Sequence, residues 1–239
     1  MKYVIAFCIA VATAFTAKAD DSSARTQMAR GTAALNAGRN SEARDAFAAA
    51  VAAAPDWGLA RLNLGIAEQA LDPESDQARS ELETALQLEP NNPLTHYHLG
   101  LSYDRKGRFS DAAKQFATAA QLRPQMLDAH FQLANALRMS GDDNGAIAAY
   151  ETLLEHDPYQ IGGLLSVAEL YEKSGRYDDA ERALITTTRL QPAVAYHQYR
   201  LAKFYERVGN THKAQMAFAR ADRLHPKPQR KMRPLLKSR

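Results

Sequence analysis

The 239 residues are 46% apolar and 24% charged, which excludes a largely disordered chain and leaves room for one or two folded domains. The formal charge of +3 comes from 30 basic and 27 acidic residues, and it is unevenly placed: Lys227, Arg230, Lys231, Arg233, Lys237 and Arg239 crowd residues 227–239 with no acid among them. With Lys2 and Lys18 set apart at the other end, the body between is acidic, which disfavours nucleic acid as a partner.

Residues 1–19 read as a secretory signal peptide. Lys2 precedes an uncharged stretch from Tyr3 to Ala17, and Ala17-Lys18-Ala19 forms an A-x-A cleavage site before Asp20. The apolar core is shorter than the roughly 20 residues a membrane-spanning helix needs. Cys8 is the single cysteine and lies inside this segment, so the mature chain has no thiol for a disulfide or a Cys-based metal site. The bulky Phe7 before it argues against a lipoprotein signal. The expectation is an exported protein, periplasmic or secreted.

From about residue 24 the chain is periodic. Pro55, Pro90, Pro124, Pro158, Pro192 and Pro226 stand 34 or 35 residues apart. An apolar residue followed by Gly or Ala recurs in phase at Leu64-Gly65, Leu99-Gly100, Leu133-Ala134, Val167-Ala168 and Leu201-Ala202. Then comes a turn glycine, at Gly38, Gly107, Gly141, Gly175 and Gly209, where a helix ending in a left-handed residue prefers glycine. Next, Ala43, Ala78, Ala112, Ala146, Ala180 and Ala214 are each followed four residues on by Phe47, Leu82, Phe116, Tyr150, Leu184 or Phe218, which puts each pair on one helix face. Proline closes the second helix of each unit. The units fall at about 24–57, 58–92, 93–126, 127–160, 161–194 and 195–226, within a domain spanning 20–226. Abundant alanine favours helix throughout.

Two units depart from the pattern. The first has Arg30-Gly31 in place of an apolar-Gly pair and Ala34 where others place an aromatic, which predicts a weakened terminal hairpin. The second carries one extra residue and Leu71-Asp72-Pro73 instead of a turn glycine, which predicts Asp72 as the cap of a helix beginning at Pro73. Trp57 lies out of phase and is expected to pack between the first two units. At residues 24–226 the sequence resembles the tetratricopeptide repeat family, whose pattern is W-x2-L-G-x2-Y, A-x3-F and P over 34 residues. The resemblance implies an all-α, right-handed superhelical solenoid of about six helix-turn-helix units.

In that family the first helix of each unit lines the concave binding wall. Carried over position by position, the wall comprises Tyr97, Leu101 and Arg105; Phe131, Asn135 and Arg138; Leu165 and Glu169; and Tyr196, Tyr199 and Lys203. Its amphipathic character suits an apolar peptide or helix as ligand. The carboxylate clamp of chaperone-binding relatives does not fit, since only Asn135 and Arg200 match and Phe131, Ser166 and Tyr196 replace polar groups.

Catalytic motifs are lacking: there is no H-E-x-x-H, no G-x-S-x-G and no phosphate-binding glycine loop. His96, His98 and His130 read as packing residues, and Asp142-Asp143 and Asp178-Asp179 as charges favouring helix starts. No catalysis, cofactor or metal is expected. Pro226, Pro228 and Pro234 forbid a long helix in the basic tail, so Phe218 and Leu224 are left partly uncovered; the tail is the one segment expected to touch anionic lipid. Two readings remain: a scaffold that holds a protein partner in an envelope assembly complex, or a structural envelope protein that self-associates into an oligomer through its end units.

Overall fold

The computed structural model describes residues 22–224. The signal segment before Asp20 and the basic tail after Pro226 lie outside the described residues. Twelve α-helices and no strands occupy that span: α1 (Ser22–Asn36), α2 (Asn40–Ala53), α3 (Gly58–Leu71), α4 (Asp76–Leu88), α5 (Pro93–Arg105), α6 (Phe109–Leu122), α7 (Leu127–Met139), α8 (Asp143–His156), α9 (Ile161–Lys173), α10 (Tyr177–Leu190), α11 (Ala195–Arg207) and α12 (Thr211–Leu224). Odd-numbered helices are the first and even-numbered the second of each repeat. The fold class is the all-α helical-repeat solenoid. The chain divides after Asp142 into two compact units, the first holding α1–α7 and the second α8–α12.

The punctuation works as its chemistry requires. Gly38, Gly107, Gly141, Gly175 and Gly209 all have φ between 70° and 88°. At each, the glycine amide reaches back to one carbonyl and the next residue's amide to the carbonyl before it, as in Gly107 to Asp104 (2.9 Å) and Arg108 to Tyr103 (2.9 Å). This pair of hydrogen bonds closes the helix end, and glycine adopts the positive φ it needs without the strain a Cβ would bring. At the other boundary, the residues before Pro55, Pro90, Pro124 and Pro192 leave the helical region, with ψ from 73° to 85° where α2, α4, α6 and α10 stop.

The α3–α4 connection corrects the expectation at Asp72. Asp72 ends α3 and its Oδ1 accepts from the Glu74 amide at 3.0 Å, while α4 begins at Asp76 under Ser75, whose Oγ accepts from the Ala78 amide at 3.1 Å. Pro73 lies in the turn between them. The extra residue is thus absorbed as a short turn rather than as added helix.

The small residue in each first helix sets how near the second helix lies. A Cβ built on Gly31 would meet the Phe47 ring at 2.5 Å, on Gly65 the Leu82 side chain at 2.7 Å, and on Gly100 the Phe116 ring at 2.6 Å. Phe47, Leu82 and Phe116 are wholly buried there. The first hairpin, expected to be weak, is therefore closed by the same contact, and Ala34 is buried within it. Its core joins Met28, Leu35 and Phe47 to Leu62, Leu64 and Leu82, with Trp57 half-buried against it as expected. A second cluster centres on Tyr97, Phe116 and Ala129. In the second compact unit Leu164, Val167, Leu184, Leu201 and Phe204 fill the corresponding positions.

Candidate functional site

In the first compact unit the predicted wall residues fall on α5 and α7. Tyr97, Leu101 and Arg105 follow each other at four-residue spacing along α5, and Phe131, Asn135 and Arg138 share one face of α7. Tyr97 does not reach the surface. It is only 7% exposed, its ring lies 5.7 Å from Phe116, and burial, aided by nearby Asp128 and opposed by a hydrogen bond with Gln132, pushes its phenol up to about 12. The next first helix covers it, so it belongs to the core and not to an accessible wall. Leu101, Phe131, Asn135 and Arg138 are half-buried, and Arg105 and Met139 are exposed. Arg138 Nε is buried with no hydrogen-bond partner.

The second compact unit carries Leu165 and Glu169 on α9, and Tyr196, Tyr199 and Lys203 on α11. Leu165 is half-buried and Glu169 exposed. Tyr196 and Tyr199 are 51% and 42% exposed. Tyr199 sits edge-on to Phe218 at 5.8 Å, Arg200 donates to the Tyr196 hydroxyl at 3.3 Å, and Lys203 pairs with Glu206 at 2.6 Å, which raises the lysine's pKa. Arg207 joins α11 to α9 through Glu172 at 2.5 Å. Beside that pair is a depression of about 300 Å³ lined by Glu169, Lys173, Tyr177 and Val208, and Glu172 Oε1 is buried there without a partner.

The histidines are tied into backbone and amide contacts: His96 lies 2.8 Å from Gln115 and 2.9 Å from the Pro90 carbonyl, and His130 3.0 Å from the Pro124 carbonyl. Asp143 pairs with Lys173, and Asp179 with Arg176 and Arg182, which hold the Asp179 carboxyl below its ordinary range.

Sequence reasoning did not identify the joints between successive hairpins. The Tyr171 hydroxyl donates to Glu151 at 2.9 Å while Arg176 lies 4.3 Å over the ring and pairs with the same carboxylate at 3.0 Å. Tyr103, Glu83 and Arg108 repeat the pattern more loosely, at 3.4 Å and 4.4 Å. At the last hairpin Tyr205 donates to Glu181 at 2.6 Å, and Lys213 takes the cation's part. Burial raises all three phenols. The signal was available: tyrosine and arginine stand five residues apart at 103/108 and 171/176, with a glutamate twenty residues before each tyrosine.

Two family models, both described as Tetratricopeptide repeat, match residues 28–93 and 97–161, and residues 137–203. No curated protein matches the sequence. Among solved structures, MamA is 22% identical with a TM-score of 0.63 over 69% of this chain and 95% of that one. YrrB, described as a TPR protein with an unusual peptide-binding site, is 18% identical with a TM-score of 0.68 over 77% of this chain and 95% of that one. PilF of Pseudomonas aeruginosa is 19% identical with a TM-score of 0.69 over 88% of this chain and 95% of that one. At these identities the likeness is one of fold.

Proposed function

The chain belongs to the tetratricopeptide repeat family, and from that premise we propose that it is a non-catalytic scaffold of the cell envelope, holding a peptide or helix of a partner protein against its first-helix faces. The observation that carries this reading is that aromatic and apolar side chains remain accessible on those faces although the core is complete without them, notably Tyr196 and Tyr199 at 51% and 42% exposure. Arg138 Nε and Glu172 Oε1 add a donor and an acceptor awaiting partners. The description of YrrB supports peptide binding within this fold, and the signal-type sequence of residues 1–19 supports export.

Self-association through the last hairpin is the weaker reading. Gln215 and Asp222 are exposed there, at the register where the α5–α6 hairpin buries Ala113 and Ala120. A polar outer face is what a terminal repeat needs for solubility.

Affinity capture from the native envelope, read by mass spectrometry, tests the proposal. A partner retained by the parent chain and lost on Phe131→Ala with Tyr199→Ala supports it. Enrichment no greater than over an unrelated repeat protein overturns it.

A further inference from the structure

A second surface lies on the other side of α11 from Tyr196, Tyr199 and Lys203, in the groove enclosed by α10, α11 and α12. It has a volume of about 360 Å³, and Ile185, Arg189, Gln198, Met216, Ala217 and Arg220 are among its lining. Three repeats earlier the polar groups at the same register are paired with one another. There His96 bonds Gln115, Glu83 accepts from Tyr103, and Asp111 pairs with Arg108 and Lys114.

Each of those contacts is dismantled in the last repeat. Gln198 stands where His96 stood and Ala217 where Gln115 stood, so the amide has lost its partner. Gln198 is 8% exposed and its Oε1 is buried without a hydrogen bond. Ile185 replaces Glu83 and Met216 replaces Lys114, so the walls turn apolar, and Met216 is left 48% exposed. Arg189 replaces Gln87 and Arg220 replaces Thr118, so the rim turns cationic. Lys213, in the place of Asp111, is already engaged by Glu181, whereas Arg189 and Arg220 have no carboxylate partner among the described residues.

We propose that this groove binds an acidic, aliphatic peptide segment of a partner protein. Its carboxylates meet Arg189 and Arg220, an aliphatic side chain lies on Ile185 and Met216, and a main-chain N–H is accepted by Gln198 Oε1. An unpaired buried acceptor and two unpaired cations are features such a segment satisfies together. The chain's own residues 227–239 carry six Lys or Arg and no acid, so charge opposes them as the occupant. The inference is independent of the first-helix reading and goes beyond it.

Random peptides displayed on phage are selected on the full chain, and the selected sequences are synthesised with a fluorescent label and measured by anisotropy. The expected peptides combine acidic and aliphatic residues and bind more weakly as salt rises. Their affinity falls at least about tenfold in the doubly substituted R189E/R220E chain, because each reversal turns attraction into repulsion. It falls also in Gln198→Leu and is unchanged by Phe131→Ala. Both arginines are exposed, so a helical circular dichroism spectrum equal to the parent's confirms that the variant is folded. Failure to select any peptide, selection of peptides without acids, or equal binding to the R189E/R220E chain overturns the proposal. Binding that emerges only on deletion of residues 225–239 assigns the groove to the chain's own tail, and light scattering that shows self-association abolished by R189E/R220E assigns it to a second copy; either result overturns it as well.

Discussion

Gly100→Ala tests whether one missing methyl fixes the distance between α5 and α6. The added Cβ would lie 2.6 Å from Phe116 Cε1 and 2.7 Å from Cδ1, where ordinary contact begins at 3.4 Å. Phe116 is wholly buried, and its ring abuts Tyr97 at 5.7 Å, so the phenylalanine cannot retreat without displacing a second aromatic. Overpacking of this kind costs about 1–3 kcal/mol, while replacing glycine by alanine within a helix returns up to about 1 kcal/mol. With the middle of the first range set against the second, the net expectation is a loss of about 1 kcal/mol. Urea unfolding followed by circular dichroism, with hydrogen exchange of α5 and α6, measures it. The double substitution Gly100→Ala with Phe116→Leu should recover part of the loss in helix exchange protection, because the α9–α10 hairpin buries Ala168 and Leu184 completely at the same register. A neutral or stabilising Gly100→Ala would refute the idea that this contact sets the helix spacing.

Gln198→Leu should raise stability by about 1 kcal/mol by removing a buried acceptor that has no partner; Leu164 already occupies the equivalent place in α9, and a loss of stability in thermal melts would show that Oε1 is satisfied by something in solution. A pH dependence follows from His98, whose ring is held down to about 4 by burial and sits 2.8 Å from Gln69 Oε1. The folded ring stays neutral while the unfolded one takes a proton near pH 6.5, so this contribution is complete above about pH 6.5 and is lost as pH falls toward about 4. His98→Gln should flatten unfolding free energy against pH across that window, leaving the smaller slope due to His197, which burial also holds down. An unchanged slope would remove His98 as its source.

The repeat was legible because its boundaries are written in residues with unique backbone chemistry. Proline cannot continue a helix and glycine alone enters the left-handed cap, so position in sequence translated directly into helix ends. Asp72 was misread because aspartate can serve either end of a connection: its own side chain bonds the turn, and Ser75 takes the capping role. Tyr97 and Tyr199 occupy the same register, yet one is 7% and the other 42% exposed. The difference lies in whether another first helix follows among the described residues, which single-repeat reasoning does not weigh. The α10–α12 groove was hidden for a related reason. It arises from residues that are absent, Gln115 and Glu83 having no counterparts there, and only comparison between repeats in register exposes such a loss.

The tyrosine joints bear on how such a chain could grow or shrink by whole repeats. The in-phase joints stand two repeats apart, with Ala117 and Leu137 at the intervening places, so excising or duplicating two repeats rejoins matching halves wherever the phase is kept. Glu83 with Tyr103 and Glu151 with Tyr171 keep it. The last joint does not: Ile185 occupies the in-phase site and Tyr205 reaches Glu181, one helical turn earlier. The departure therefore belongs to α10, for Tyr205 keeps the register of Tyr103 and Tyr171, and any hairpin stacked after α10 must reach Glu181 rather than the in-phase site.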